Sequence, residues 1–99
     1  MQLWVINPDK SVCPGDTVSF EIEITDPLDD FILQWDDPSY QSLDDSEHYS
    51  LNENKTVLTI HDALPPHAGY YQVVAYNGDG VGVVDSDQFY LDVPGITSV

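Results

Sequence analysis

The chain has 99 residues, 41% of them hydrophobic, which is enough for one packed core and too short for two. Eighteen acidic residues stand against Lys10 and Lys55, with no arginine, for a formal net charge of −16. That balance argues against nucleic acid and anionic membrane as partners, because both need basic surface, and no apolar run approaches the ~20 residues that span a bilayer.

Leu3 to Asn7 is a short apolar run ended by the turn signal Asn7-Pro8-Asp9. It reads as a first edge strand. Ser11-Val12-Cys13 reads as a second edge piece, closed by Pro14-Gly15-Asp16. If Val12 faces inward, Cys13 faces out as a free thiol. The start, MQLWVINPDK, has no basic region followed by an apolar stretch, so no secretory signal is expected in it. Val18, Phe20, Ile22 and Ile24 then alternate with Thr17, Ser19, Glu21, Glu23 and Thr25, the pattern of a half-buried strand. After the loop at Asp26–Asp30, Phe31, Leu33 and Trp35 point inward on a third strand. Tyr40 to Ser46 is polar and irregular, with room for one short edge strand. Tyr49 and Leu51 alternate on the next strand, and Asn52-Glu53-Asn54 turns the chain into Val57–Ile60, where Leu58 and Ile60 share a face.

Two prolines at Ala63-Leu64-Pro65-Pro66 cannot continue a ladder, so the chain turns a corner there. It resumes at Gly69 with Tyr71, Val73 and Ala75 on one face. Asn77-Gly78-Asp79-Gly80 is a hairpin signal. The last strand carries Phe89, Leu91 and Val93 inward, and Pro94-Gly95 closes a domain expected to span 1–95, with 96–99 as a linker or tail. Short strands punctuated by turns, with no helical period, predict an all-β sandwich.

Several motifs lie in register. Gly15-Asp16-Thr17-Val18-Ser19-Phe20-Glu21-Ile22, Trp35 thirteen residues on, Leu58-Thr59-Ile60, Ala68-Gly69-Tyr70-Tyr71-Gln72-Val73 and Ala75-Tyr76-Asn77-Gly78-Asp79-Gly80 together resemble an immunoglobulin-like domain of the intermediate (I-set) type. Such domains occur in giant muscle proteins and cell-adhesion molecules. The resemblance implies a two-sheet antiparallel Greek-key sandwich with a tyrosine corner. It places Ile22, Trp35, Leu58, Ile60, Tyr71 and Val73 in the core. The family's disulfide positions are Ile22 and Val73 here, so the bridge is absent. Closing such a loop of about fifty residues is worth roughly 4 kcal/mol; aliphatic burial of ~1.5–3 kcal/mol per side chain offsets part of that. The family's Asp before the corner glycine is His67, and the Arg that pairs with it falls at His48. Two imidazoles face to face repel when both are charged, which makes this a candidate pH-sensitive pair.

The sequence carries no G-x-S-x-G, H-E-x-x-H, P-loop or dinucleotide fingerprint, so neither catalysis nor a cofactor is expected. Calcium is the chemical alternative, because it takes loop carboxylates and carbonyls. Asp44, Asp45, Ser46 and Glu47 offer neighbouring oxygens, as do Asp26, Asp29 and Asp30, and Asp85 with Asp87. No zinc site is expected of His48, His61 and His67, since His61 lies on the outer parity of its strand. A single cysteine points to a reducing compartment, cytoplasmic and, on the resemblance, cytoskeletal or sarcomere-like. The sequon Asn54-Lys55-Thr56 points to an extracellular one. The expected function is a non-catalytic structural or protein-interaction module of a larger multidomain protein, meeting neighbouring domains and a protein partner of basic character. The alternatives are an extracellular adhesion or recognition domain and a calcium-dependent binding module. Acidic loops, a free strand edge and Trp4 are the candidate contact regions.

Overall fold

Side chains that alternate in the sequence alternate between core and solvent in space. In β3 (Val18–Ile24), Val18, Phe20 and Ile22 are buried while Ser19, Glu21 and Glu23 are exposed. The computed structural model describes residues 2–26, 30–43 and 45–94. Asp29, Asp44, Gly95 and the tail at 96–99 lie outside that range.

The other strands are β1 (Leu3–Ile6), β2 (Asp9–Ser11), β4 (Phe31–Asp36), β5 (Tyr49–Leu51), β6 (Val57–Ile60), β7 (Gly69–Asn77) and β8 (Val83–Asp92). They form two four-stranded sheets, ordered β1-β3-β6-β5 and β2-β8-β7-β4. The short β2 crosses to the second sheet and β3 returns to the first; the chain then crosses between β3 and β4, returns between β4 and β5, and crosses again between β6 and β7, so a Greek-key sandwich results.

The core lies between the sheets. Phe20 from one meets Phe89 from the other at 4.4 Å between ring centroids. Trp35 stands edge-on to Phe89 at 5.6 Å, and Tyr71 stacks on it at 5.4 Å. Ile22, Leu58, Ile60 and Val73 belong to the same buried cluster. The Trp35 indole N–H donates to the Lys55 carbonyl at 2.8 Å, which satisfies its polar atom and ties the β5–β6 turn to the core.

Three details depart from the sequence reading. The second edge piece lies at Asp9–Ser11 rather than Ser11–Cys13. Asn7 takes a φ of 54° and turns the chain early, and the Pro8 carbonyl already accepts the Tyr90 N–H. That strand runs parallel to β8, with Asp9 opposite Tyr90 and Ser11 opposite Asp92, so its sheet is mixed rather than wholly antiparallel. The irregular stretch after β4 forms one isolated bridge, Asp36 to Ser42, and buries Leu43, whose N–H donates to the Trp35 carbonyl.

Candidate functional site

The corner between β6 and β7 begins with a short 3₁₀ turn at Pro65–His67. Gly69 follows at φ +143°, where any Cβ would sit 2.9 Å from the Pro38 side chain, so only glycine fits. The corner is tied to the β2–β3 turn by Gly15 N–H to the Ala63 carbonyl and Ala63 N–H to the Asp16 carbonyl, both 2.8 Å. Tyr71 is fully buried, and its hydroxyl donates to the His67 carbonyl at 2.6 Å. Burial and the neighbouring Tyr49 hydroxyl, 3.2 Å away, push its pKa far above the phenolic range. Tyr71 therefore stays neutral and acts as a tie.

His48 and His67 lie ring to ring at 4.5 Å. Their hydrogen bonds fix different tautomers. His67 Nδ1 accepts the Leu64 N–H at 3.0 Å, so its hydrogen sits on Nε2. His48 Nδ1 meets the His61 carbonyl at 3.0 Å and must donate to it. The His61 ring turns instead to the Ser50 hydroxyl, at 2.9 Å. Charging His67 places a second N–H against the Leu64 N–H and a positive charge against His48. Burial first, then His48, holds its pKa below 6.5, with Asp62 opposing. A base whose folded pKa is lowered leaves stability untouched above 6.5 and removes it as pH falls from there through the folded value. His67→Asn keeps an acceptor for Leu64 and removes the titration. The wild type is expected to lose stability between pH 7.5 and 5.5 that His67→Asn does not lose, as read from urea midpoints. Equal slopes for the two proteins contradict the arrangement.

A second cluster secures the edge of β1. That strand pairs with β3 on one side, and its other side faces β8. Asp85 accepts the Leu3 N–H and Asp87 the Val5 N–H, each at 2.9 Å. The second oxygen of each carboxylate accepts the N–H of Ser86 or Gln88. Two acids thus take the place of a neighbouring strand and tie the sheets together along one border. Asp87→Ala is expected to cost about 1.5–3 kcal/mol in urea unfolding, because a charge-assisted bond is lost and the Val5 N–H is left unpaired. Glu23→Ala, on the outer face of β3, should change stability by about 0.5 kcal/mol or less. If both substitutions stabilise equally, relief of net charge outweighs the link to β1.

The outer face of the β2-β8-β7-β4 sheet differs from the rest of this acidic chain. The ladder sets Ile32 beside Tyr76, and Tyr76 beside Val83. The next rows read Gln34, Val74, Ser86 and Asp36, Gln72, Gln88. Tyr70 and Tyr90 then lie against each other at 4.8 Å. Ile32 is 46% exposed, Tyr70 65% and Val83 61%. Across β4, β7 and β8 these rows hold one charged side chain, Asp36, which is 5% exposed, and the Tyr70–Tyr90 row continues to Asp9 on β2. The Asp36 oxygens accept the Gln34 amide at 2.9 Å and the Gln72 amide at 2.7 Å. Acidic side chains return at the margins, with Asp9 and Asp92 toward β2, Asp79 at the hairpin tip and Asp37 past β4.

The remaining candidates stay apart. Asp45 accepts the Leu51 N–H at 2.9 Å, Glu47 is exposed, and Asp44 lies outside the described residues. Among the described residues no three His, Cys, Asp or Glu side chains gather in a way that could hold a metal ion, and no helix is long and apolar enough to cross a membrane. Asn54 is exposed in the β5–β6 turn, Cys13 is an exposed free thiol, and Trp4 on β1 is 43% exposed. Open clefts run along the edge of β4, lined by Ile32, Leu33 and Lys55.

No protein-family model matches the chain, and no curated protein matches it. Solved structures do. The immunoglobulin-like domain of human leucine-rich repeat-containing protein 4 superposes with a TM-score of 0.73 at 19% identity, over 98% of this chain and 91% of that one. The fold is that of an immunoglobulin-like domain. Murine CEACAM1b gives a TM-score of 0.70 at 28% identity over 93% of this chain and 43% of its own. The titin M10–obscurin-like 1 immunoglobulin complex gives 0.68 at 21%, over 87% and 85%.

Within this immunoglobulin-like domain the two positions of the usual bridge, Ile22 on β3 and Val73 on β7, lie in opposite sheets and in one buried cluster. Sequence reasoning missed the work of Asp85 and Asp87, although a signal was present. Both share the parity of the inward-facing Phe89 and Leu91, which is no place for an unpartnered acid. The burial of Asp36 had no such signal, because Gln72 reaches it from 36 residues away.

Proposed function

We propose that this immunoglobulin-like domain is a non-catalytic structural and protein-interaction module of a larger multidomain protein, of the intermediate type that its motifs resemble. The observation that carries this reading is the placement of its ends. Leu3 is bound beside Asp85 at the start of β8, whereas Ser11 lies beside Asp92 at the end of β8. Seven residues of strand separate those points, roughly 23 Å at ~3.3 Å per residue. The described chain therefore begins at one pole and leaves from the other, which suits domains strung end to end. Tension between the ends loads the parallel β2–β8 ladder and the two aspartate links in shear, so they must break together.

Single-molecule pulling tests this. Loading through Gln2 and Pro94 is expected to need a higher unfolding force than loading through Pro66 and Pro94. Those two positions share one pole, because Gly69 pairs with Leu91, and pulling there unzips β8 from β7 pair by pair. A lower or equal force through Gln2 and Pro94 contradicts the reading. An extracellular recognition domain is the second reading, favoured by the 28% identity to murine CEACAM1b and by the exposed Asn54. A glycan on Asn54 of the native protein selects it, and an unmodified Asn54 with a reduced Cys13 selects the reducing compartment.

A further inference from the structure

We propose that the outer face of the β2-β8-β7-β4 sheet docks a basic protein partner, with an arginine or lysine of that partner seated over Asp36. This rests on reading the domain as an interaction module and names the surface and the chemistry. Three observations converge on it. The centre of the face, across β4, β7 and β8, is depleted of charge on a chain of net charge −16, and it is rich in tyrosine, amide and aliphatic groups, the composition of an interface centre. Exposed Ile32, Tyr70 and Val83 leave apolar area in water that a partner would cover.

The third observation is Asp36 itself. A buried carboxylate is ordinarily paired with a cation. Here its donors are two neutral amides, and among the described residues no lysine or histidine bonds to it. Gln34 and Gln72 satisfy one carboxylate oxygen each without neutralising the charge, so a partner's cation resting on these two amides meets the field of Asp36 beneath them. The acidic margin at Asp9, Asp37, Asp79 and Asp92 attracts basic groups and steers them onto the face. The same margin repels a second copy of this chain, so charge selects a basic partner over self-association.

A random dodecapeptide library displayed on phage and selected against the intact chain at 150 mM salt tests the proposal. The selected peptides are expected to carry Arg or Lys beside an aromatic residue and to shift the amide resonances of β4, β7 and β8. Their affinity should fall at least tenfold for Asp36→Asn and for Ile32→Asp, and stay unchanged for Glu23→Gln on the opposite sheet. Tyr70→Ser, at an exposed position, provides the same readout if Asp36→Asn does not fold. No selected binder, binders without basic residues, shifts confined to other strands, or affinities indifferent to these substitutions overturn it. So does sedimentation showing that a second copy occupies the face. Binders on another surface remove this site and leave the module reading intact, whereas loss of the pulling asymmetry removes the end-to-end reading and not the site.

Discussion

Replacing Trp35 with alanine is expected to lower stability by about 3–5 kcal/mol. Whole domains hold only ~5–15 kcal/mol, so a large unfolded fraction should appear without denaturant if this one lies near the lower bound. The size of the effect follows from position. Trp35 is buried between the sheets, edge-on to Phe89, and its N–H holds the Lys55 carbonyl. Its neighbours Gln34 and Asp36 point to the opposite face of the same strand, so losing the ring also loosens the base of the proposed docking surface. Trp35→Phe separates the contributions. It keeps most apolar bulk and gives up the hydrogen bond, worth about 1 kcal/mol. Urea unfolding of both variants measures the difference. An alanine variant within ~1 kcal/mol of wild type would mean that the ring is not enclosed.

The sandwich was legible because its strands are amphipathic at period two. Val18 to Ile24 and Phe31 to Trp35 declare their inner faces without any partner in view, and the paired prolines before Gly69 mark the corner. Where a residue's role depended on a distant neighbour, the sequence was mute unless the residue broke its strand's parity, as Asp85 and Asp87 do. Leu43 is buried in a stretch whose local composition is polar, because its N–H reaches back to the Trp35 carbonyl. The β2 boundary slipped by two residues because pairing with β8 is decided at Pro8 and Tyr90, far apart in the chain. The outer face of the second sheet could not be seen as a unit until the register placed Ile32, Tyr76 and Val83 in one row.

The electrostatics follow one logic. With so few cations of its own, the chain uses carboxylates as acceptors for backbone N–H groups, as Asp85 and Asp87 do for β1 and Asp45 does for β5. Lys10 is committed to the Ser19 carbonyl and lies over the Phe20 ring. Asp36 is held instead by the neutral amides of Gln34 and Gln72.

The domain holds its core closed with Ile22 and Val73 at the positions where the resemblance implies a disulfide, and cysteines placed there test that most directly. The Ile22→Cys, Val73→Cys pair is built on Cys13→Ser, which removes the exposed thiol from competition. Reduced, the variant should be less stable than wild type, since it loses part of the ~1.5–3 kcal/mol of apolar burial at each site. On mild oxidation of the folded protein, mass analysis should show one intramolecular disulfide, and the urea midpoint should rise by the equivalent of about 4 kcal/mol over the reduced form. Thiols that stay free in the folded state, or oxidation that unfolds the protein, would contradict the placement of these two side chains at the centre of the sandwich.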